Sequence, residues 1–381
     1  MKDDLKIYYI GFSPINGICN ESFFTGSITM YPNNEKGNIF FSNEVFKNYT
    51  EFVIHQFREF ISIQVKKLLL IDCKTKFLIF NDKERTKKIC DFIPEENIIQ
   101  GNSNELLNYL NNKEEIRKRF YGMIPILQYN WLDGSELSPK LIKTFLSSDR
   151  SIVIQGKTGS GGINTYLVRN IDEFLKIDIS RNSRYCLSNY KRNIPVNITC
   201  VIGKDILFFP ISAQLIKNEK GRFIYKGGDF SYPKVLGEEL NKKIQEYSYV
   251  IANDIKQLGY KGILGIDFIV DKHKNVYFME LNPRYQASSF FISRKLESCL
   301  DINLAYLQYL AFIGEEFPKV NMKLIEDING SFLNCSSKEK FQKIEADSEI
   351  KNGYFPKLNK SVYRKIYNFS IIDMDDFERI I

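Results

Sequence analysis

The sequence predicts an N-terminal α/β domain followed by an α+β region. In the N-terminal hundred residues, apolar runs of strand length are followed by stretches with helical character, which is typical of an α/β unit, although the first sixty residues match no clear pattern. Residues 151–168 have the pattern of a strand, a glycine-rich turn and a second strand. Residues 262–282 hold two apolar strands joined by a polar turn, the pattern of a β-hairpin. An α/β unit followed by two separate hairpins favours a combined α/β and α+β fold class.

Length and composition narrow the class of protein. With 381 residues the chain is long enough for two or three domains, and an apolar content of 44% is that of a globular protein. Lys and Arg number 53 against 46 Asp and Glu. This small positive surplus suits a nucleotide ligand but does not indicate nucleic acid. The charged start predicts no signal peptide, and the short apolar runs predict no membrane segment. Seven scattered cysteines predict a reduced, cytoplasmic protein without zinc.

Apolar runs and helical spacing predict the elements of the N-terminal region. Residues 67–72 and 77–82 are apolar runs that end in Asp or Asn-Asp, and each is expected to be a strand. Residues 104–120 carry apolar side chains at near-helical spacing and are expected to form a helix. Two strands followed by a helix support an α/β domain.

Two further helices are predicted towards the C-terminus. Residues 236–258 are amphipathic, and Gly259 is placed to end that helix. Residues 301–313 form the second, with Asp301 as N-cap and Gly314 beyond its end.

Polar side chains interrupt the apolar strands of the predicted hairpin. Asp267 lies in the first strand, and Glu280 and Asn282 lie two residues apart in the second, so the latter two share a face. Pairing of the strands brings Asp267 beside them. Two carboxylates and an amide oxygen suit Mg²⁺ whose shell is completed by phosphates. Arg284, two residues further along, is placed to hold a phosphate oxygen.

This spacing resembles the metal-binding end of the ATP-grasp superfamily. The resemblance covers about residues 105–315 and implies two α+β subdomains that clamp ATP, preceded by an α/β domain. ATP and Mg²⁺ are therefore the expected cofactors. The implied parts are an N-terminal α/β domain, a small subdomain with a glycine-rich loop, a subdomain with the metal site and an extension of unknown role, at 1–112, 113–190, 191–316 and 317–381.

The glycine-rich turn corresponds in this family to a mobile loop that covers phosphates. Glycines allow backbone N–H groups to approach phosphate oxygens without Cβ clashes. The residues concerned are Gly159, Ser160, Gly161 and Gly162. The turn matches neither a P-loop nor a dinucleotide-binding turn, and an ordinary hairpin turn is the alternative.

Two lysines usually contact the nucleotide in this family. By resemblance Lys113 is the first, whereas Gln155 stands where the second is expected. Glutamine can still donate to a phosphate oxygen but lacks the charge. Lys157, inside the loop, is a candidate to supply it.

Further contacts are implied by position. Leu187 and Tyr190 lie where the family's hinge contacts adenine, and Asn197 stands where the family often has a ribose-binding acid. Gln214 lies where a polar or basic residue contacts the acyl phosphate, which makes it, with Arg284, a candidate catalytic residue.

The resemblance implies a ligase that activates a carboxylic acid as an acyl phosphate and joins it to an amine. Stand-alone ligases of peptide or secondary-metabolite synthesis are the favoured type, ahead of purine and biotin enzymes, and an acyl carrier protein is a possible partner. The alternative is an ATP-binding regulator or scaffold with weakened catalysis, which Gln155 favours. A biotin-type carboxylase is a third hypothesis.

Overall fold

The N-terminal part is a parallel sheet. The structure, a computed structural model, describes residues 5–11, 23–31, 37–42, 50–79, 90–146, 151–159, 162, 164–219, 221–335, 348–355 and 360–367. Its first four strands pair in the order β3-β2-β1-β4, all parallel. They are β1 (Ile7–Gly11), β2 (Gly26–Thr29), β3 (Asn38–Phe40) and β4 (Lys76–Ile79). The predicted strand at 77–82 is therefore confirmed as far as Ile79, and its remainder lies outside the described residues.

A 21-residue helix, α1 (Glu51–Ile71), packs on one face of this sheet. Its buried side chains recur every four residues: Val53, Phe57, Ile61 and Val65. The strand predicted at 67–72 is wrong, because these residues are the end of α1 and the turn after it. The apolar run there is largely solvent-facing, with Leu70 87% exposed. A run of apolar residues lacks the alternation that would separate a strand from a helix end.

The rest of the chain is organised around a mainly antiparallel sheet. Within the described residues it has thirteen strands, with the central order β14-β13-β9-β11-β12-β7-β6-β8-β5. The strands are β5 (Tyr129–Asp133), β6 (Ile152–Gly156), β7 (Thr165–Val168), β8 (Arg184–Asn189), β9 (Asn193–Ile202), β10 (Ile206–Phe208), β11 (Ser212–Glu219), β12 (Arg222–Asp229), β13 (Gly262–Asp271), β14 (Val276–Asn282), β15 (Ser331–Cys335), β16 (Ser348–Phe355) and β17 (Lys360–Tyr367). A parallel N-terminal sheet followed by an antiparallel one confirms the predicted fold class. The C-terminal extension joins the main sheet, because β15 pairs with both β12 and β17.

Ten helices flank the two sheets in the described part of the chain, besides a 3₁₀ turn at Glu95–Asn97. After α1 they are α2 (Asn104–Leu110), α3 (Lys113–Phe120), α4 (Pro139–Phe145), α5 (Ile171–Leu175), α6 (Pro233–Leu236), α7 (Glu238–Gln257), α8 (Ser289–Leu300), α9 (Leu304–Ile313) and α10 (Met322–Glu326). No described helix is long and apolar enough to cross a bilayer.

Most of the predicted helices are confirmed, with changes at their ends. The helix predicted at 236–258 is α7, but the one predicted at 104–120 is divided in two. The division occurs because Asn112 caps α3, its side chain accepting hydrogen bonds from the next helical N–H groups. Asp301 is not an N-cap: it ends α8 in a left-handed conformation, and Asn303 caps α9 instead. Gly314 ends α9 as predicted.

Candidate active site

The predicted hairpin forms from β13 and β14. Asp267 lies directly opposite Glu280 in the register, and Gly265 lies opposite Asn282. Directly opposed residues in an antiparallel pair place their side chains on the same face about 5 Å apart. The hairpin therefore brings two carboxylates and an amide together, as the strand alternation predicts.

Asp267 is surrounded by side-chain amides. Its Oδ1 accepts hydrogen bonds from Asn197 Nδ2 at 2.6 Å and Gln214 Nε2 at 2.9 Å, and its Oδ2 accepts one from Asn282 Nδ2 at 2.9 Å. Burial and the negative charge of Glu280 raise the pKa of Asp267 to about 7. The carboxylate is thus held firmly in place, while burial and the charge of Glu280 disfavour its ionised form.

A buried lysine contacts the second carboxylate. Lys113 Nζ lies 2.9 Å from Glu280 Oε2, and the lysine side chain is only 7% exposed. Asn112 fixes the start of α3 and so fixes the direction of Lys113. The sequence-predicted lysine and the metal-site glutamate therefore meet, although 167 residues separate them in the chain.

Gln155 and an arginine that sequence reasoning missed complete this cluster. Gln155 Nε2 lies 3.4 Å from Glu280 Oε2, and its Oε1 accepts a 2.7 Å hydrogen bond from Arg117. Arg117 also donates to the carbonyl of Met279 and to Cys186 Sγ. One signal could have revealed it: Arg117 follows Lys113 by four residues, so the two share a face of α3.

Gln286 is a second residue that sequence reasoning missed. Its Oε1 accepts a hydrogen bond from Asn197, and its Nε2 donates to Thr199. It lies across Gly265, where a Cβ atom would come within 2.0 Å of its side-chain carbon Cδ. A glycine two residues before Asp267 was the available signal, because strand glycines often mark a close approach by another group.

Only part of the glycine-rich loop belongs to the described residues; Ser160 and Gly161 lie outside them. Gly162 adopts φ +81°, and a Cβ there would come within 1.8 Å of the Phe223 carbonyl, so both the conformation and the contact require glycine. Lys157 Nζ lies 3.9 Å from Glu114, and the Lys157 carbonyl accepts a hydrogen bond from the backbone of Lys113. The base of the loop is thereby joined to α3.

The hinge residues are placed differently from one another. The Leu187 side chain packs into a hydrophobic core against β6, so any contact with a nucleotide would have to come from its backbone. The Tyr190 ring stacks on Phe223 with centroids 6.5 Å apart. Asn197 is 3% exposed and bound to Asp267, which makes it a support of the carboxylate in this structure.

Arg284 lies beside the hairpin carboxylates. Its guanidinium donates a 2.9 Å hydrogen bond to Asn282 Oδ1 and another to the carbonyl of Tyr285. Burial lowers the pKa of Arg284, while the charges of Glu280 and Asp267 oppose that shift. The arginine thus faces the same cluster as Lys113.

The donor set fits Mg²⁺. No group of three or more His, Cys, Asp and Glu that could hold a metal occurs among the described residues. The candidate ligand oxygens are those of Asp267, Glu280 and Asn282, which accept hydrogen bonds from neighbouring side chains or pair with Lys113 in this structure. Mg²⁺ is usually held by one or two carboxylates, with substrate phosphates and water completing its shell. A bound divalent cation would also offset the repulsion between the two opposed carboxylates, which contributes to the raised pKa of Asp267.

Comparison with known proteins finds a matching domain family. Residues 110–288 match the model of the ATP-grasp domain family. Biotin carboxylase of Halalkalibacterium halodurans is 24% identical over 188 residues, 44% of this chain and 37% of that protein. Rat mitochondrial pyruvate carboxylase is 29% identical over 101 residues, 26% of this chain. That match spans only 8% of the rat enzyme, so the chain covers a small part of this relative.

Solved structures agree over nearly the whole chain. The biotin carboxylase domain of Hydrogenobacter thermophilus 2-oxoglutarate carboxylase, in complex with MgADP, ADP and bicarbonate, has a TM-score of 0.64 at 14% identity, covering 96% of this chain and 86% of that one. N5-carboxyaminoimidazole synthetase of Staphylococcus aureus, complexed with ADP, has a TM-score of 0.61 at 14% identity, covering 100% and 96%. Residues 110–288 therefore match the ATP-grasp domain family, as the hairpin motif predicts, and these structures share the fold of the chain.

Proposed function

We propose that this protein is an ATP-dependent, ADP-forming ligase that activates a carboxylate as an acyl phosphate and joins it to an amine. One observation carries the proposal: Asp267 and Glu280 oppose each other directly, with the cations of Lys113 and Arg284 beside them. A site that only bound adenosine would not need two carboxylates and two cations on one face of a hairpin.

The chemistry follows from the poor leaving group of a carboxylate. A carboxylate oxygen attacks the γ-phosphorus of ATP, ADP leaves, and the resulting acyl phosphate is then attacked by the amine nitrogen. The C–O bond to phosphate breaks, the nitrogen loses a proton, and the released phosphate keeps one oxygen of the acid. Positioning and charge neutralisation are the protein's main contributions to such a reaction.

Named residues take roles in this scheme. Asp267, Glu280 and Asn282 would hold Mg²⁺, which when bound neutralises phosphate charge. Lys113 contacts the nucleotide phosphates, and Arg284 stabilises the charge of the acyl phosphate. Gln214 and Asn197 hold Asp267 in place. Lys157 and the backbone N–H groups of the loop cover the phosphates, at Gly159, Ser160, Gly161 and Gly162.

The relatives point to the kind of acid to test first. One neighbouring structure holds bicarbonate. Another, N5-carboxyaminoimidazole synthase of Aspergillus clavatus, holds ADP and 5-aminoimidazole ribonucleotide and has a TM-score of 0.62 at 13% identity. We propose bicarbonate as the first acid and small amines as acceptors. The peptide-ligase interpretation and the carrier-protein acceptor gain no support from these relatives and stay predictions.

The predicted cytoplasmic location also stays a prediction. Five cysteines in the described part of the chain are free thiols: Cys73, Cys90, Cys186, Cys200 and Cys299. Free thiols are typical of proteins in a reducing compartment, which supports the prediction.

A second function, nucleotide binding without catalysis, is favoured by Gln155 alone. It predicts ATP binding but no ADP formation with any acid. The buried Arg117 beside Gln155 weakens this reading, because positive charge is still present there.

Isotope transfer tests the proposed reaction. ADP and phosphate are measured with MgATP, a pool of amines and ¹⁸O-labelled acids, with bicarbonate and amino acids in separate reactions. A ligase transfers one ¹⁸O from the acid into the released phosphate, whereas simple ATP hydrolysis does not. Glu280→Gln is the control. ATP binding without ADP formation above that control, in every reaction, would support the regulatory alternative and contradict the ligase.

A further inference from the structure

In the described part of the chain, the buried cation of Arg117 has no carboxylate partner. It is 4% exposed, and among the described residues no carboxylate lies within ion-pair distance of its guanidinium. Its partners are the Met279 carbonyl, Cys186 Sγ and Gln155 Oε1, all neutral, and the ring of Tyr129 at 5.8 Å. Burial of a charge without an opposite charge is costly, so an uncompensated guanidinium indicates an anion that arrives with a ligand.

The geometry shows where that anion would lie. Arg117 and Lys113 share one face of α3, and Lys113 contacts Glu280. The Arg117 hydrogen bond holds the Gln155 amide so that its Nε2 points towards Glu280, which places the amide donor at the candidate nucleotide site. The positive charge thus lies directly behind an uncharged donor that faces the site.

We propose that Arg117 supplies, through Gln155, the positive charge that serves the nucleotide polyphosphate at this position. This inference rests on the proposed function, because it assigns a positioning residue for the same ATP site. Arg117 fixes the donor direction of Gln155 and contributes charge. The Lys157 ammonium lies towards Glu114 and not behind Gln155, and the lysine side chain is 37% exposed.

The pairing of Arg117 with Gln155 predicts that the positive charge can be moved from position 117 to position 155 by substitution. Gln155→Lys in the natural protein places an ammonium beside the Arg117 guanidinium, so like-charge repulsion should lower its melting temperature. Combined with Arg117→Gln, the same lysine has no such neighbour and restores one cation to the pair. Gln155→Lys should therefore lower the melting temperature of the natural protein but raise the ATP affinity of the Arg117→Gln variant.

The experiment measures ATP and adenosine affinities by calorimetry, with melting temperature as a check of folding. Arg117→Gln should weaken ATP binding about tenfold or more, the size expected for a charge-assisted contact. Its adenosine affinity should be unchanged, since a merely structural defect would lower both. The double variant should regain ATP affinity to within about threefold of the natural protein, because one cation is again present. Arg119→Gln is the matched control: it lies on the same helix but pairs with Asp254 on α7, so its ATP affinity should be unchanged.

The outcomes separate this inference from the proposed function. If the natural protein binds no ATP, both fail. If it binds ATP and Arg117→Gln binds ATP equally well, only the role of Arg117 is overturned. A double variant that folds but binds ATP no better than Arg117→Gln overturns it too. If Arg117→Gln does not fold, the double variant decides. An ATP affinity within about threefold of that of the natural protein supports the inference, and an ATP affinity weakened by more than about tenfold contradicts it.

Discussion

Asp267 and Asp271 lie four residues apart on β13, yet their surroundings differ in kind. Among the described residues, Asp267 receives hydrogen bonds only from side-chain amides; it faces Glu280, and its pKa is raised to about 7. Asp271 accepts the backbone N–H groups of His273 and Asn275 and is approached by the ammonium of Lys191. Although burial opposes them, these contacts lower the pKa of Asp271 to about 2.

The difference shows how one strand holds both a site and its support. Asp271 has its charge balanced by the turn it closes, so it stabilises the hairpin. Asp267 is held just as firmly, but it lies opposite a second carboxylate, Glu280, whose charge a cation would offset. Hydrogen-bond number alone does not separate the two roles; the charge of the neighbours does.

The largest effect, on turnover, is expected from substitution of Glu280, the carboxylate that lies opposite Asp267 in the candidate metal site. Glu280→Gln keeps the size and the contact with Lys113 but removes one negative charge. We expect a loss of turnover of about a hundredfold or more, equivalent to about 3 kcal/mol of transition-state stabilisation. ADP formation at saturating MgATP is the measurement, with Asp271→Asn as the control that keeps its turnover. Near-normal turnover of Glu280→Gln would contradict the assignment of this residue to the metal site.

A smaller loss, in Mg²⁺ affinity, is expected when a substitution displaces the side chains that hold Asp267. Gly265→Ala places a Cβ where Gln286 lies, so Gln286 must leave Asn197, which holds Asp267. Mutation of a residue that orients a metal ligand usually lowers metal affinity by about tenfold or more. The Mg²⁺ concentration at half-maximal activity should therefore rise about tenfold. A titration of activity with Mg²⁺ measures this shift. An unchanged titration in a folded protein would show that Gln286 does not support the site.

Asp271→Asn should change stability rather than chemistry. The loss of hydrogen bonds to a charged acceptor should lower the free energy of unfolding by about 1–2 kcal/mol at pH 7. The folded-state pKa lies below the ordinary value of 3.8, so this contribution is present above about pH 4 and is lost as the pH falls towards 2. Denaturant unfolding of both proteins at pH 7 and pH 3 measures the difference. A gap that grows on acidification would contradict the assigned role.

The smallest effect is expected at Lys191. Its ammonium lies 3.4 Å from Asp271 Oδ2 and 3.0 Å from the Tyr277 hydroxyl, and the side chain is 41% exposed. Solvent screens such a pair, so Lys191→Met should lower the free energy of unfolding by less than about 1 kcal/mol. The same denaturant series serves as the measurement. A loss larger than that of Asp271→Asn would mean that the lysine, and not the backbone N–H groups, holds Asp271.

The sequence by itself determined the hairpin and its polar face. Strand alternation is local, so the shared face of Glu280 and Asn282, and the approach of Asp267, follow from spacing alone. Helix α7 and the end of α9 at Gly314 also follow from local periodicity and glycine conformation. Local signals failed at 67–72, where an apolar run without alternation suits a helix end as well as a strand.

Only the tertiary structure decided which distant groups surround that face. Arg117 reaches Gln155 because α3 docks against the main sheet between β14 and β8, a contact that joins residues 38 positions apart. Gln286 reaches Asn197 across Gly265, a contact over 89 positions. Such contacts depend on how helices and strands pack, and no local period encodes packing. The sequence therefore specified the hairpin side chains that are proposed as metal ligands, while packing supplied the charges and amides around them.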